Sequence, residues 1–228
     1  MFNRTETPLL TFRGPWGVPI EIAPSFLLLA LVFVGFAPSQ HGLIFFGIVA
    51  VSILLHELGH AWGALVQGQP VRRIVLWGGG GFCERHRAAT PRETELIVAM
   101  GPLTNLALWA VGSLIGGAIV DPYYATGAEA AWYIGWYVEL FATTNLVLFA
   151  LNLLPVQPLD GGKLLHLGLG RVIDAGRATR ITGAVGLVLA VLWVPAMIGA
   201  WLTWGYALLF IPSIAAHYAM MRDRAWSY

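Results

Sequence analysis

The chain has 228 residues, 57% of them hydrophobic and only 11% charged, with a formal net charge of +1. A soluble domain is about 25% charged, so this composition excludes a soluble enzyme, a disordered chain and a nucleic-acid binder. The one cysteine, Cys83, excludes an intrachain disulfide. What remains is a single membrane-embedded domain over residues 1–228, built from apolar spans of about 20 residues each.

In chain order, Phe26–Ala37 predicts a short first span, and Pro38 ends it. Leu43–Val66 predicts the second. Arg73–Phe82 is a β-prone run ending in four glycines and predicts a re-entrant β-hairpin between the second and third spans. Such backbone is tolerated at membrane depth only when buried in protein or lining a wet cavity. Leu96–Val120 and Ala131–Pro155 predict the third and fourth spans. Ile181–Met221 is about twice the length of one crossing. It is divided near Trp201, where Trp201, Thr203, Trp204 and Gly205 suit an interfacial turn, and Pro195 suits a kink in its first half. The expected fold is an all-α polytopic membrane protein of about six transmembrane helices with one hairpin.

The basic residues orient these spans independently. Arg4 and Arg13, the Arg72–Arg92 group, the Lys163–Arg180 group, and Arg222 with Arg224 hold all 13 Lys and Arg. With six spans, these four segments fall on one side of the bilayer. Cytoplasmic loops carry the Lys/Arg excess, so both termini are expected in the cytoplasm. The small chain without accessory domains suggests a bacterial or archaeal cell membrane.

Ionisable groups inside spans are costly and usually functional. The second span contains His56-Glu57-Leu58-Gly59-His60. Helix positions i and i+4 share a face, so both imidazoles can reach one metal ion, with Glu57 beside them to handle protons. This HExxH pattern is a zinc signature in which the Glu is the general base. A catalytic zinc takes a third protein ligand and keeps one position open. Among the remaining His, Asp and Glu, Asp160 is best placed. It follows Asn152-Leu153-Leu154-Pro155-Val156-Gln157-Pro158-Leu159, where the fourth span reaches the cytoplasmic face. The plainer reading makes Asp160 the N-cap of the next helix. Glu139 and His41 lie toward the external face. His86, His166 and His217 lie on the correct side but read as solvated or packing residues, and Cys83 reads as a small loop residue. Gly59 and Gly63, like Gly112 and Gly116, are spaced for close helix packing.

These motifs resemble those of the site-2 protease family of intramembrane zinc metalloproteases. The resemblance rests on His56–His60, on Asn152–Gly162 with its Leu-Asp-Gly, on Gly101-Pro102-Leu103-Thr104-Asn105, and on the lead-in Gly17–Ile22. One departure is Ala23, where members often have His. The resemblance implies a three-span catalytic core over about residues 43–165. It implies one Zn2+ held by His56, His60 and Asp160, with Glu57 as general base and Asn152 binding substrate or stabilising the oxyanion. Asn105 is expected to bridge helices. The expected activity is cleavage of single-pass membrane proteins within their transmembrane segments, near the cytoplasmic face, with no PDZ or CBS domain attached. A catalytically silent escort protein would not need Glu57. A divalent-metal transporter would show internal repeats and midplane polar groups, and neither pattern is present.

Overall fold

The structure is a computed structural model that describes residues 6–35, 40–126, 129–204 and 210–222. It divides into two units, Met1–Phe149 and Ala150–Tyr228.

The first unit opens with strands β1 (Leu10–Arg13) and β2 (Pro19–Ile22), then helix α1 (Phe26–Gly35) and helix α2 (Gln40–Leu65). Strands β3 (Val71–Trp77) and β4 (Gly80–Arg85) form a β-hairpin that turns through Gly78 and Gly79. Gly80 takes φ +124, which suits only glycine. Helices α3 (Pro91–Thr126) and α4 (Glu129–Asn152) follow, and α4 passes into the second unit at Ala150.

The described chain is mostly helical, as expected, but the hairpin does not stand alone. The hairpin belongs to a four-stranded sheet of order β1-β2-β3-β4. β1 and β2 pair antiparallel. β2 and β3 pair parallel because α1 and α2 intervene as the crossover, and β3 and β4 pair antiparallel. Val71, Ile74 and Ile20 are buried in one cluster with Ala61 and Ala64 of α2 and Ile97 of α3. On its polar side Arg73 ties three strands together. Its guanidinium donates to Glu84 at 2.6 Å and to Glu21 at 2.7 Å, and these carboxylates raise its pKa further.

Without water there is little hydrophobic drive between spans, so close backbone approach must hold them. Gly59 and Gly63 do this for α2 against α3. A Cβ at Gly59 would lie 2.6 Å from the Met100 carbonyl oxygen, and one at Gly63 would lie 2.9 Å from Met100 Cγ. Gly112 serves α3 against Ala142 of α4 in the same way, at 3.0 Å.

The second unit holds the end of α4, then helices α5 (Asp160–Leu169), α6 (Ala175–Trp204) and α7 (Ile214–Met221). The Gln157–Pro158 peptide is cis. Pro195 lies inside α6, which runs as one helix through Trp201 and Thr203. The interfacial turn expected near Trp201 is therefore not found at Trp201, Thr203 or Trp204, and Gly205 lies outside the described residues. Among the described residues, four helices are long and apolar enough to cross a membrane: Gln40–Leu65, Pro91–Ile119, Trp132–Asn152 and Ala175–Ala200. Where the first and sixth spans were expected, α1 has 10 residues and α7 has 8. The ten described residues of α1 reach about 15 Å, and residues 36–39 and 205–209, within or beside these two expected spans, lie outside the described residues.

Candidate metal centre

Helix α2 carries His56, Glu57 and His60 on its buried side, at 6%, 5% and 8% exposure. One ligand atom from each lies within 4.8 Å of the others. The protonation of the two imidazoles follows from what their other nitrogens touch. His60 Nδ1 lies 2.8 Å from the Ile97 carbonyl oxygen. A carbonyl only accepts, so Nδ1 carries the hydrogen and the neutral ring presents a lone pair at Nε2.

His56 requires a longer chain of contacts. Asn145 Nδ2 donates to the Phe141 carbonyl at 2.9 Å and to Ser52 Oγ at 3.0 Å. That orients the Asn145 amide, whose Oδ1 accepts from Asn105 Nδ2 at 2.7 Å. Asn105 Oδ1 must then accept from His56 Nδ1, at 2.5 Å. The network is anchored at a main-chain carbonyl and leaves His56 with a lone pair at Nε2 as well. The two Nε2 atoms face each other at 3.0 Å. Two lone pairs at that separation repel unless a cation lies against both.

Helix α3 keeps the adjoining space open. A Cβ on Gly101 would fall 2.7 Å from His56 Nε2 and against His60 Nε2 and Cε1. The residues present therefore suit a metal ion: two neutral imidazoles whose Nε2 atoms lie 3.0 Å apart, each ring fixed from behind, and a cradle that any side chain would fill. Glu57 completes one side. β4 stands against it, since a Cβ at Gly81 would lie 2.6 Å from Glu57 Cγ and 3.0 Å from Oε1.

The other candidate residues are placed as follows. In the second unit, Asp160 is the first residue of α5 and is 3% exposed. Its Oδ1 accepts from Lys163 Nζ at 2.9 Å. The helix cap is Leu159, with no side-chain cap bond, so the plainer N-cap reading of Asp160 falls. Asn152 is the last residue of α4. The structure thus brings His56, Glu57 and His60 together, and it describes Asn152 and Asp160 within the other unit. Cys83 packs against the sheet's core cluster. Burial, then the charge of Glu57, pushes its thiol up to about 12, so it is a neutral packing group. His41 bonds Tyr137 Oη at 2.7 Å. His86 is exposed. Burial lowers the pKa of His166 on α5.

Sequence reasoning missed Ser52 and Asn145, both fully buried. A signal was available: each is a polar residue in an apolar span, and Ser52 lies one turn before His56 on the same helix face. Gly101 stood out only as a motif letter.

Residues 44–121 and 110–193 match the profile of Peptidase family M50. Zinc metalloprotease MJ0392 of Methanocaldococcus jannaschii is 29% identical over 182 residues, covering 77% of this chain and 50% of that protein. Stage IV sporulation protein FB of Bacillus subtilis is 30% identical over 158 residues, covering 65% of this chain and 51% of that one. The chain spans about half the length of these curated relatives. The solved structure of Site-2 Protease from Methanocaldococcus jannaschii superposes with a TM-score of 0.62 at 21% identity. The match covers 96% of this chain and 97% of that one, and is a likeness of fold.

Proposed function

The chain belongs to peptidase family M50, the site-2 protease family, and we propose that it is an intramembrane zinc endopeptidase. It cuts transmembrane segments of single-pass membrane proteins near the cytoplasmic face and so releases their cytoplasmic parts. The observation that carries this reading is the pair of Nε2 lone pairs facing at 3.0 Å with Glu57 beside them. The protease names of the relatives support it. His56 and His60 hold the zinc, and Asp160 is the third ligand. Asp160 suits that role as a buried carboxylate at the head of a helix, directly after a turn.

When bound, zinc supplies Lewis acidity to a water molecule and to the scissile carbonyl. The chain's own groups do the rest. Glu57 takes the proton from the attacking water at its carboxylate and returns it to the leaving amine. Asn152 donates to the developing oxyanion. Asn105 and the Ile97 carbonyl hold the two rings in their metal-binding tautomers.

Strand β4 presents the substrate. It is an edge strand among the described residues, and Gly81 brings its backbone against Glu57. Glu57 lies about 12 Å of helix rise inside the Leu65 end of α2. This supports a hairpin that enters the membrane and pairs with an unwound substrate segment by strand addition. The one-sided distribution of Lys and Arg supports cytoplasmic termini.

The test is to purify the wild type and Glu57→Gln in detergent and measure bound zinc and cleavage of a single-pass substrate. Both should carry zinc, because Glu57 is not a ligand, and only the wild type should cleave. A zinc-free wild type, or a Glu57→Gln that cleaves at the wild-type rate, overturns the reading.

A further inference from the structure

The turn that leads into Asp160 is held by a residue the catalytic reading does not use. Between Val156 and Leu159 three residues have a backbone N–H, since Pro158 has none. Val156 N donates to the Leu154 carbonyl at 2.7 Å, and Leu159 N donates to the Val156 carbonyl at 3.0 Å. The amide of Gln157, a buried residue, donates out of the turn to His217 Nε2 on α7, at 3.0 Å. A buried amide left without an acceptor is strongly disfavoured, so this bond fixes the path of the turn.

The ring that answers it is itself fixed. His217 is 1% exposed. Its Nδ1 lies 2.7 Å from the Ser213 carbonyl, so Nδ1 carries the hydrogen and Nε2 is the acceptor. On α6, Gly186 lets the ring lie against the helix backbone, because a Cβ there would fall 2.5 Å from Nε2. Gly183 receives Met220 of α7 in the same manner, at 2.7 Å. His217 lies beyond residues 44–193, which match the family profile.

We propose that His217 is a positioning residue for the metal centre: by accepting from the Gln157 amide it sets the turn from which Asp160 enters α5, and so the placement of the third ligand. This rests on the reading of Asp160 as a ligand. It gives α7 a function outside the three-span core, that of securing a loop three residues from the ligand to the end of the fold. Ligand sites tolerate displacements of only about 0.5 Å, so a single lost anchor is felt as weaker metal binding before it is felt as unfolding.

Three variants of the full chain in detergent separate this from simple packing. His217→Phe keeps a ring and removes the acceptor. His217→Asn keeps polar atoms at the level of Nδ1 and has none at the level of Nε2. His217→Gln places an amide oxygen near the Nε2 position. Zinc dissociation constants are measured by chelator competition, the visible spectrum of the Co2+-loaded protein reports ligand geometry, and kcat and KM are measured separately. The Phe and Asn variants should weaken zinc about tenfold, change the Co2+ spectrum and lower kcat with KM unchanged. The Gln variant should recover to within about threefold of wild type. Wild-type zinc affinity and an unchanged Co2+ spectrum in both the Phe and Asn variants overturn the proposal. Hydrogen exchange of the Gln157 amide in the wild type decides even if every variant misfolds: slow exchange supports the tether, and exchange as fast as in an open loop overturns it. A wild type that holds no zinc overturns the parent reading and with it the ligand role of this turn.

Discussion

Replacing Gly101 with alanine adds one methyl group at the centre of the proposed metal site. In a helix interior the exchange is ordinarily favourable by about 1 kcal/mol. Here the methyl would lie 2.7 Å from His56 Nε2, and nearer still to His60. An unstrained contact needs about 3.5 Å. Neither ring can swing away freely, since His56 is tethered to Asn105 and His60 to the Ile97 carbonyl. Overpacking of this kind costs about 1–3 kcal/mol, which cancels or exceeds the propensity gain. Gly117 on the same helix is the internal control, because nothing lies within 4 Å of its Cβ position. Thermal unfolding in detergent and zinc competition should be run on both variants. Gly117→Ala should be as stable as wild type or up to about 1 kcal/mol more so, with unchanged zinc affinity. Gly101→Ala should be less stable than Gly117→Ala by about 1–3 kcal/mol and should bind zinc at least about tenfold more weakly. A Gly101→Ala protein with wild-type zinc affinity would refute the cradle.

Asn105→Leu removes the acceptor of His56 and strands Asn145 Oδ1 in a fully buried position. Zinc affinity should fall about 10- to 100-fold, with a loss of about 1–3 kcal/mol in stability; unchanged affinity would mean the network does not set the imidazole tautomer. Gly80→Pro cannot hold φ +124, since proline is fixed near −65°. It should abolish cleavage while zinc remains bound, and full cleavage by this variant would end the strand-addition mechanism.

What the sequence disclosed follows from how local each interaction is. His56 and His60 were readable because a helix alone puts i and i+4 together. The β3–β4 hairpin was readable because a β-prone run met consecutive glycines. The β1 and β2 strands were not. Each has four residues, too few for an alternating pattern, and β2 gains its ladder from β3 across two intervening helices. Asn105 was legible as a bridge between helices; Asn145 was open to the same reading as a polar residue in its span, but its pairing with Asn105 across α3 and α4 has no local signature. His217 was read as a packing residue for the same reason. Its partner is a main-chain amide, and a main-chain amide leaves no mark in the sequence.

The metal centre takes its protonation state from the backbone. Besides Ser52 Oγ, its network ends on two main-chain carbonyls, those of Phe141 and Ile97, whose acceptor character does not change with pH. Asn145 reaches Phe141 one turn back along its own helix, a local contact that orients the amide before any other helix arrives. The Ile97 carbonyl lies one turn before Gly101, and in an α-helix the carbonyl of residue i sits beside residue i+4. The glycine that leaves room beside both Nε2 atoms therefore also opens the flank of the carbonyl that His60 uses. A methyl group at that position meets two atoms of His60, Cε1 and Nε2, and one of His56, Nε2. In Gly101→Ala the His60 ring should accordingly be the first to lose its geometry, and nitrogen-15 chemical shifts of the two imidazoles would show it. An equal shift at both rings would mean that the methyl acts only through the space beside Nε2.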